Sequence, residues 1–226
     1  MHEQLKAKVC AACKGLVEHG LVKLCWGNVS QIDRAEGIVA IKPSGVEYSS
    51  LCAEDISIVD AATGELIEGK KPSSDTPTHL ELYRCFENVG GIVHTHSTAA
   101  TAWAQAHRAL PCFGTTHADC FFGKVPCTRD MTQKEIENDY ELNTAKVIVE
   151  KFKRRDYSQV GAVLVASHGA FCWGADAAAA LENAVVLEEC ALMGLYTVSL
   201  EGGPISRELL KKHFLRKHGK DAYYGQ

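Results

Sequence analysis

Gly90-Gly91-Ile92-Val93-His94-Thr95-His96-Ser97 is the stretch of sequence around which this chain is organised. Its apolar first half is typical of a short buried strand. Because side chains alternate along a strand, we expect His94 and His96 on the same face, with Cα atoms about 7 Å apart. Two imidazoles at that spacing can converge on one metal ion. This motif alone also allows a simpler interpretation, two polar residues on a solvated strand face.

The composition narrows the class of protein. The chain has 226 residues, 46% of them hydrophobic, with a formal net charge of −4, and we predict one domain over residues 1–226. No apolar run reaches the roughly 18 residues of a membrane helix, and residues 1–8 have no signal-peptide core. We therefore expect a cytoplasmic protein with no membrane partner. Lys and Arg concentrate only near residues 151–155 and 211–220, which argues against nucleic acid as a partner.

Ten cysteines are a high number for such a chain. Cys10-Ala-Ala-Cys13 is the one CxxC motif, and it lies in a helical pattern with no second pair nearby. A zinc or redox role is therefore the minor interpretation there. The other cysteines lie mostly among apolar neighbours, so we interpret them as small buried hydrophobic residues.

Periodicity along the chain predicts short strands and amphipathic helices. The predicted strands are 22–30, 37–41, 56–59, 65–68, a strand from 90, 160–166 and 171–174. The predicted helices are 3–19, 78–86, 98–105, 131–153, 177–196 and one from 206. Residues 111–118 are interpreted as a polar loop. The strands are mostly linked as hairpins, so we predict an α/β domain with helices on both faces of the sheet.

Two turns are candidates for holding an anion. Lys42-Pro43-Ser44-Gly45 follows a predicted strand, and a Ser-Gly turn can present a hydroxyl and backbone N–H groups to an oxyanion. Ser73-Ser74-Asp75 precedes the helix start at Thr76-Pro77, where the helix dipole favours anions. An ordinary turn and a simple helix start remain the alternatives.

A third imidazole joins the His-x-His pair. His168 follows a predicted strand and precedes a glycine, so we expect its ring to be exposed at the strand end. Three histidines plus an open position are the pattern of a catalytic zinc site, and imidazole also suits other divalent metals. Asp75 is a candidate fourth ligand or a nearby base. A Lewis acid beside a phosphate pocket can grip the carbonyl and hydroxyl oxygens of a sugar phosphate.

Six sequence blocks make the whole chain resemble the class II, metal-dependent sugar-phosphate aldolase and epimerase superfamily, and within it the L-ribulose-5-phosphate 4-epimerases. The blocks are Trp26-Gly27-Asn28-Val29-Ser30, Lys42-Pro43-Ser44-Gly45-Val46, Pro72-Ser73-Ser74-Asp75-Thr76, the His-x-His stretch, Gly114-Thr115-Thr116-His117-Ala118-Asp119, and the tail Arg216-Lys217-His218-Gly219 with Ala222-Tyr223-Tyr224-Gly225-Gln226. The His-x-His block is shared across the superfamily. The Thr-Thr-His-Ala-Asp block and the Tyr-Tyr-Gly-Gln ending point to the epimerases.

The resemblance implies a fold, an assembly and a set of site residues. The fold is a three-layer αβα sandwich with a central, mainly antiparallel sheet, assembled as a homotetramer with active sites between subunits. The implied cofactor is Zn²⁺, replaceable by Mn²⁺ or another divalent metal. The implied metal residues are Asp75, His94, His96 and His168. The residues implied for the substrate phosphate and hydroxyls are Asn28, Lys42, Ser44, Gly45, Ser73 and Ser74, with Thr115, Glu141 and His213 near the site.

The implied reaction interconverts L-ribulose 5-phosphate and D-xylulose 5-phosphate in pentose catabolism, on an arabinose or ascorbate-type route. It proceeds by retro-aldol cleavage and aldol re-formation at C4, with Asp119 and Tyr224 of a neighbouring subunit as the acid–base pair. One departure is Cys120, where an aromatic residue is expected. The alternatives are a sugar-phosphate aldolase, such as one acting on L-fuculose 1-phosphate, and a non-catalytic adducin-type module, against which the three histidines argue.

Overall fold

The computed structural model describes residues 2–224, so the last two residues of the predicted tail block, Gly225 and Gln226, lie outside the described part. Seven strands form one sheet in the order β4-β3-β2-β1-β5-β7-β6, and every neighbouring pair is antiparallel. The strands are β1 (Asn28–Asp33), β2 (Ile38–Ile41), β3 (Ser57–Asp60), β4 (Leu66–Glu68), β5 (Gly91–Thr95), β6 (Ala162–Val165) and β7 (Gly169–Gly174). The His-x-His stretch thus supplies a central strand.

Eight α-helices and one 3-10 turn (Ala53–Asp55) accompany the sheet within residues 2–224. The helices are α1 (Glu3–Glu18), α2 (Thr76–Cys85), α3 (Thr98–Gln105), α4 (Thr115–Cys120), α5 (Gln133–Glu137), α6 (Tyr140–Phe152), α7 (Ala177–Ser199) and α8 (Arg207–His218). None of these helices is long and apolar enough to cross a membrane.

The helices cover both faces of the sheet. On one face, Ser30 of β1 is hydrogen-bonded to His79 and Tyr83 of α2 at 2.7 Å each. The next side chain along the strand points the opposite way, and Gln31 accepts a 3.0 Å bond from the N–H of Ala177 at the start of α7. Helices α2 and α6 pack together in one outer layer, while α1, α3 and α7 form the other. The predicted three-layer α/β fold with an antiparallel sheet is confirmed.

Strand register brings two distant polar residues together. Asn28 of β1 pairs with His94 of β5, and His94 pairs with Phe171 of β7. Cross-strand partners lie on the same face of a sheet, so Asn28 and His94 lie side by side on the face that α2 covers. The His94 ring stacks on the Phe171 ring, with centroids 4.2 Å apart.

Most predicted elements are present, but the first strand starts later than expected. The sequence predicts a strand over 22–30, whereas β1 begins at Asn28. Leu24 and Gly27 have φ values of +52° and +75°, outside the extended region. The segment before Asn28 therefore forms turns instead of joining the sheet.

Two further predictions are wrong in detail. The predicted helix 131–153 is interrupted between α5 and α6, where Asp139 has a φ of +49°. Asn143 bridges the break by donating hydrogen bonds to the carbonyls of Glu135 and Asn138. The predicted loop 111–118 contains the start of α4, whose six residues are too few to show a period.

The start of α2 also differs from the prediction. The pair Thr76-Pro77 predicts Thr76 as the N-cap, with Pro77 at the first helical position. The N-cap residue is instead Asp75, and its side chain makes no capping bond. Its carboxylate instead accepts a hydrogen bond from Asn28. The hydroxyl of Thr76 donates a 2.6 Å bond to the carbonyl of Ser73.

The cysteines are mostly buried and apolar in character. All ten are free thiols, and six of them are buried. Burial raises the pKa of both Cys10 and Cys13, which disfavours the reactive thiolate. Cys10 and Cys13 belong to the hydrophobic core. This agrees with the sequence analysis, in which a zinc or redox role is the minor interpretation of the CxxC motif.

The close approach of β5 to α7 generates a stability prediction. A Cβ at Gly91 would overlap the backbone of Asp176 and Ala177, so Gly91→Ala should lower the free energy of unfolding by about 2 kcal/mol or more. The measurement is urea denaturation followed by circular dichroism. Gly203→Ala is the matched control, because a Cβ there meets no described atom within 4 Å. Equal stability of the two variants would contradict this account of the packing.

Candidate metal and substrate site

Three histidines from two segments converge at one end of the sheet. His94 is in β5, His96 lies just beyond its end, and His168 lies in the turn between β6 and β7. One ligand nitrogen from each lies within 4.8 Å of the others. Because β5 ends at Thr95, the backbone after it is free of the sheet and can turn His96 towards the other two rings.

The exposure of His168 differs from the prediction. The sequence predicts an exposed ring at the strand end, whereas His168 is half-buried. The rings of His94 and His96 cover it, with centroids 4.8 and 4.9 Å away. The expected ring position at the strand end is correct, but the convergence of the three side chains removes part of the solvent contact.

Hydrogen bonding sets the direction of the most buried ring. His94 is 2% exposed, and its Nδ1 lies 2.9 Å from the carbonyl oxygen of Ala170. The Nδ1–H donates to that carbonyl, which leaves the Nε2 lone pair for a ligand. This Nε2 lies only 3.1 Å from Nε2 of His96. Two lone pairs at that distance repel each other unless a cation or a proton lies between them.

The histidines are held in the neutral form that binds metals. Burial, followed by the neighbouring imidazoles, lowers the pKa of His94 well below its ordinary value. Burial also lowers the pKa of His96 and His168, against a smaller opposing effect of Asp75. Convergent neutral imidazoles, one of them oriented by a backbone carbonyl, fit a divalent transition metal.

Asp75 lies beside the three histidines. Its Oδ2 is 4.0 Å from Nε2 of His94 and accepts a 2.6 Å hydrogen bond from Nδ2 of Asn28. The same Nδ2 donates to Oγ of Ser73 at 3.2 Å. Because the amide nitrogen serves both partners, Oδ1 of Asn28 is the acceptor, and it is buried with no partner among residues 2–224. This oxygen can accept a hydrogen bond from a bound hydroxyl.

A cleft of about 440 Å³ opens next to the histidines. The residues predicted for the substrate phosphate and hydroxyls line it together with the predicted metal residues. The former are Asn28, Lys42, Ser44, Gly45, Ser73 and Ser74. Further lining residues, to which the sequence analysis assigned no role, are Cys25, Trp26, Gly27 and Pro43. These four residues lie within or directly beside the sequence blocks that carry the family resemblance, and this position is the feature of the sequence that could have indicated a role for them.

The two predicted anion-binding turns lie side by side. The N–H of Ser44 donates a 2.9 Å bond to the carbonyl of Lys71, and Pro43 forms a bridge with Pro72. Gly45 has a φ of +68°, a conformation that glycine adopts without strain. The two turns therefore border one cleft, although they are far apart in the sequence.

Lys42 supports this part of the cleft from inside. The side chain is 2% exposed, and its Nζ donates to the carbonyls of Val46 at 2.8 Å and Pro43 at 3.3 Å. Nζ also lies 4.7 Å from the ring centroid of Tyr48. Burial lowers the pKa of this ammonium group. Lys42 therefore braces the Ser44-Gly45 turn and places positive charge behind it.

A second group of predicted residues lies elsewhere, on α4, α8 and the tail. Asp119 of α4 is hydrogen-bonded to His213 at 3.0 Å and receives two bonds from Arg216, at 2.9 and 3.1 Å. The Arg216 guanidinium lies 4.0 Å from the ring centroid of Tyr224. Burial tends to raise the pKa of Asp119, but the bonds from Arg216 and His213 outweigh it and hold the pKa below its usual value.

The described residues of this second group do not line the cleft. Thr115 begins α4, and Glu141 lies in the first turn of α6, where its carbonyl accepts a 2.6 Å bond from Thr78. Sequence reasoning gave Arg216 no role of its own. The feature of the sequence that could have indicated a role for Arg216 is its position three residues after His213, which puts both side chains on one face of a helix. The roles of all these residues stay predictions.

Removal of one histidine tests whether the three rings form a metal site. His96→Asn should abolish stoichiometric zinc binding while circular dichroism stays unchanged, because His96 is exposed and packs little of the core. Zinc would be measured by elemental analysis after dialysis against buffered Zn²⁺. His19→Asn, an exposed histidine at the end of α1, is the control. Full zinc occupancy in His96→Asn would show that these histidines are not the site.

A buried histidine in α4 makes stability depend on pH. Burial lowers the pKa of His117 to about 4, and its Nε2–H donates a 2.7 Å bond to the carbonyl of Gly123. Between pH 4 and the ordinary value near 6.5, the unfolded chain binds more protons at this position than the folded chain. The folded state therefore loses stability as the pH falls below about 6.5, by about 2 kcal/mol at pH 5.

The measurement is the free energy of unfolding at pH 7.5 and pH 5. In His117→Phe the decrease between the two pH values should be smaller than in the parent by about 2 kcal/mol. His19→Asn should show the parent's decrease, since that side chain is exposed. An unchanged pH dependence in His117→Phe would refute the assignment.

Comparison with known proteins agrees with this fold. An L-fuculose 1-phosphate aldolase is 28% identical, with a TM-score of 0.76 over 92% of this chain and 95% of that chain. YgbL from Klebsiella pneumoniae, a candidate aldolase/epimerase/decarboxylase, is 25% identical, with a TM-score of 0.77 over 94% and 99% of the two chains. L-fuculose-1-phosphate aldolase from Thermus thermophilus is 26% identical, with a TM-score of 0.70 over 90% and 100%. Residues 7–195 match the Class II Aldolase and Adducin N-terminal domain family, and the chain belongs to that family.

Proposed function

We propose that this protein is an L-ribulose-5-phosphate 4-epimerase, which interconverts L-ribulose 5-phosphate and D-xylulose 5-phosphate. The observation that carries the proposal is the contact of Arg216 with both Asp119 and Tyr224. A carboxylate and a phenol held by one guanidinium form a pair of groups that can take up and return a proton. The reaction at C4 needs such a pair.

The chemistry explains why two groups are needed. C4 of the substrate has no adjacent carbonyl, so its configuration cannot change by simple loss of a proton. The C3–C4 bond breaks as Asp119 accepts the proton of the C4 hydroxyl: C4 becomes the carbon of an aldehyde, and C3 and the C2 carbonyl take up the electron pair of the broken bond as an enediolate. The aldehyde rotates, the C3–C4 bond forms again on its other face, and Tyr224 gives a proton to the C4 oxygen. One group on each side of C4 is required.

The cleft residues hold the phosphate end of the substrate in this proposal. The hydroxyls of Ser44, Ser73 and Ser74 and nearby N–H groups donate to the phosphate oxygens, and Lys42 adds positive charge behind the turn. The unpartnered Oδ1 of Asn28, to which no atom of residues 2–224 donates, accepts a hydrogen bond from a sugar hydroxyl. The volume of about 440 Å³ suits a five-carbon sugar phosphate.

The proposed cofactor is Zn²⁺, or another divalent metal such as Mn²⁺, held by His94, His96 and His168. Asp75 is proposed as a fourth ligand or a nearby base. When bound, the metal would supply a Lewis acid that withdraws electrons from the carbonyl and hydroxyl oxygens of the sugar. The protein contributes the orientation of His94 through its bond to Ala170 and the position of Asp75 through its bond from Asn28.

The proposal includes a homotetramer with sites between subunits, because Asp119 and Tyr224 do not line the cleft of their own chain. A neighbouring subunit would present them to it. Large apolar side chains at the C-terminal end of α7 support association: Met193, Tyr196 and Leu200 are 44%, 64% and 81% exposed. In this assembly the other predicted residues, which are Thr115, Glu141 and His213, would lie near the substrate.

A second candidate function is that of an aldolase acting on L-fuculose 1-phosphate. It is favoured by the similarity to two solved aldolases of that name, at 28% and 26% identity. Both reactions break a carbon–carbon bond next to a phosphate pocket. They differ in the fate of the aldehyde, which an aldolase releases and an epimerase retains.

A parallel assay of the zinc-loaded protein on the two sugar phosphates distinguishes these functions. We expect D-xylulose 5-phosphate from L-ribulose 5-phosphate, without release of aldehyde. Tyr224→Phe should lower the epimerisation rate at least about a hundredfold with zinc content unchanged. Tyr223→Phe, which changes the neighbouring exposed ring, should retain the parent rate. Aldehyde release from L-fuculose 1-phosphate, with no xylulose 5-phosphate, would favour the aldolase instead.

A further inference from the structure

Two residues near the metal site have an unusual backbone conformation. Ser167, directly before His168, has a φ of +60°, and His107, just after α3, has a φ of +54°. Positive φ values are uncommon for residues other than glycine. They persist where surrounding contacts hold the chain in place, so the contacts of these two residues are informative.

The two residues are hydrogen-bonded to each other, and His107 is bonded further to a carboxylate. Nε2 of His107 lies 2.7 Å from Oγ of Ser167, and its Nδ1 lies 3.2 Å from Oδ2 of Asp130. With Nδ1–H donating to the carboxylate, Nε2 accepts from the serine hydroxyl. Asp130 thus contacts His107, and His107 contacts Ser167, which is the residue directly before His168.

Helix α3 connects this contact to a second histidine. The N–H of Ser167 donates a 3.1 Å bond to the carbonyl of Ala104 near the end of α3. The helix begins at Thr98, two residues after His96. Its first turn is held by Glu188 of α7, whose carboxylate accepts bonds of 2.8 and 2.9 Å from backbone N–H groups there. One short helix therefore links His96 to the turn that carries His168.

We propose that His107 is a positioning residue for the metal site. Its bond to Ser167 fixes the turn between β6 and β7 against the end of α3, and this sets the direction of His168 relative to His96. Asp130 orients the His107 ring. The inference rests on the proposed metal binding by the three histidines, and none of the sequence blocks that carry the family resemblance includes His107 or Asp130.

The same three residue types, in the same hydrogen-bonding order, also occur in enzymes that use serine as a nucleophile. Such chemistry needs backbone N–H groups that are free to stabilise an oxyanion. Here the N–H of Ser167 donates to Ala104 and the N–H of His168 donates to Val165 at 3.0 Å. Both donors of this turn are therefore occupied, which leaves the positioning role.

The two contacts of His107 differ in strength. The side chains of His107 and Asp130 are 46% and 61% exposed, and a hydrogen bond that water can replace this easily contributes little. The shorter bond to Ser167 carries the positioning effect. Asp130→Asn should therefore change metal affinity less than the loss of the His107 side chain.

The test measures zinc affinity by competition with a chelating dye. His107→Gly relaxes the positive φ and removes the bond to Ser167. Zinc affinity should fall about tenfold, at the lower end of the loss for residues that bond directly to metal ligands, because His107 acts through Ser167. Thermal stability of the metal-free protein should not fall. The visible spectrum of the Co²⁺-loaded variant should differ from that of the parent. His107→Gln can place its side-chain amide where Nε2 of the imidazole lies and can still bond to Ser167, so it should restore most of the affinity.

The controls separate this inference from the proposed metal site. Glu201 lies outside the site and has a similar φ of +61°. The variant Glu201→Gly should therefore bind zinc like the parent. His168→Ala should bind no stoichiometric zinc. If the parent itself bound no zinc, the metal site and this inference would both be wrong. If the parent bound zinc and His107→Gly bound it equally tightly, with the same Co²⁺ spectrum, only the positioning role would be wrong.

Discussion

The antiparallel register of β1, β5 and β7 is the constraint on which the site depends. It pairs His94 with Asn28 on one side and with Phe171 on the other. The same pairing puts the carbonyl of Ala170 within 2.9 Å of Nδ1 of His94, which turns Nε2 towards His96. A slip by one residue would send every side chain of β5 to the opposite face. The burial of both faces by helices therefore also protects the geometry of the histidines.

Charge is balanced closely around the cleft. The buried ammonium group of Lys42 is bonded to backbone carbonyls, and the carboxylate of Asp75 is bonded to the amide of Asn28. Burying an uncompensated charge is costly, so each of these contacts stabilises the turn that it supports. The histidines avoid that cost by staying neutral. The result is a cleft with hydroxyls on one side and neutral imidazole nitrogens on the other.

The predicted acid–base residues show which contacts a sequence pattern cannot predict. The blocks containing Asp119 and Tyr224 are far apart in the chain, yet α8 brings them together through Arg216. No residue pattern indicated these contacts, because the bidentate bond depends on how α8 packs against α4 and the cation–π contact on how the chain after α8 turns back onto Arg216. The distance of Asp119 and Tyr224 from the cleft also follows from packing. This distance is the physical reason why the proposed function involves a neighbouring subunit.

The sequence by itself determined the alternation of short strands and helices, the extent of α3 and the histidines that meet at the sheet end. These follow from periodicity and from motifs that local physics controls. The tertiary structure alone decided where β1 begins, where the predicted helix 131–153 breaks, and that the carboxylate of Asp75 bonds to Asn28 instead of capping α2. It also decided the contact of His107 with Ser167. Each of these depends on partners distant in the sequence, so local propensity carries no information about them.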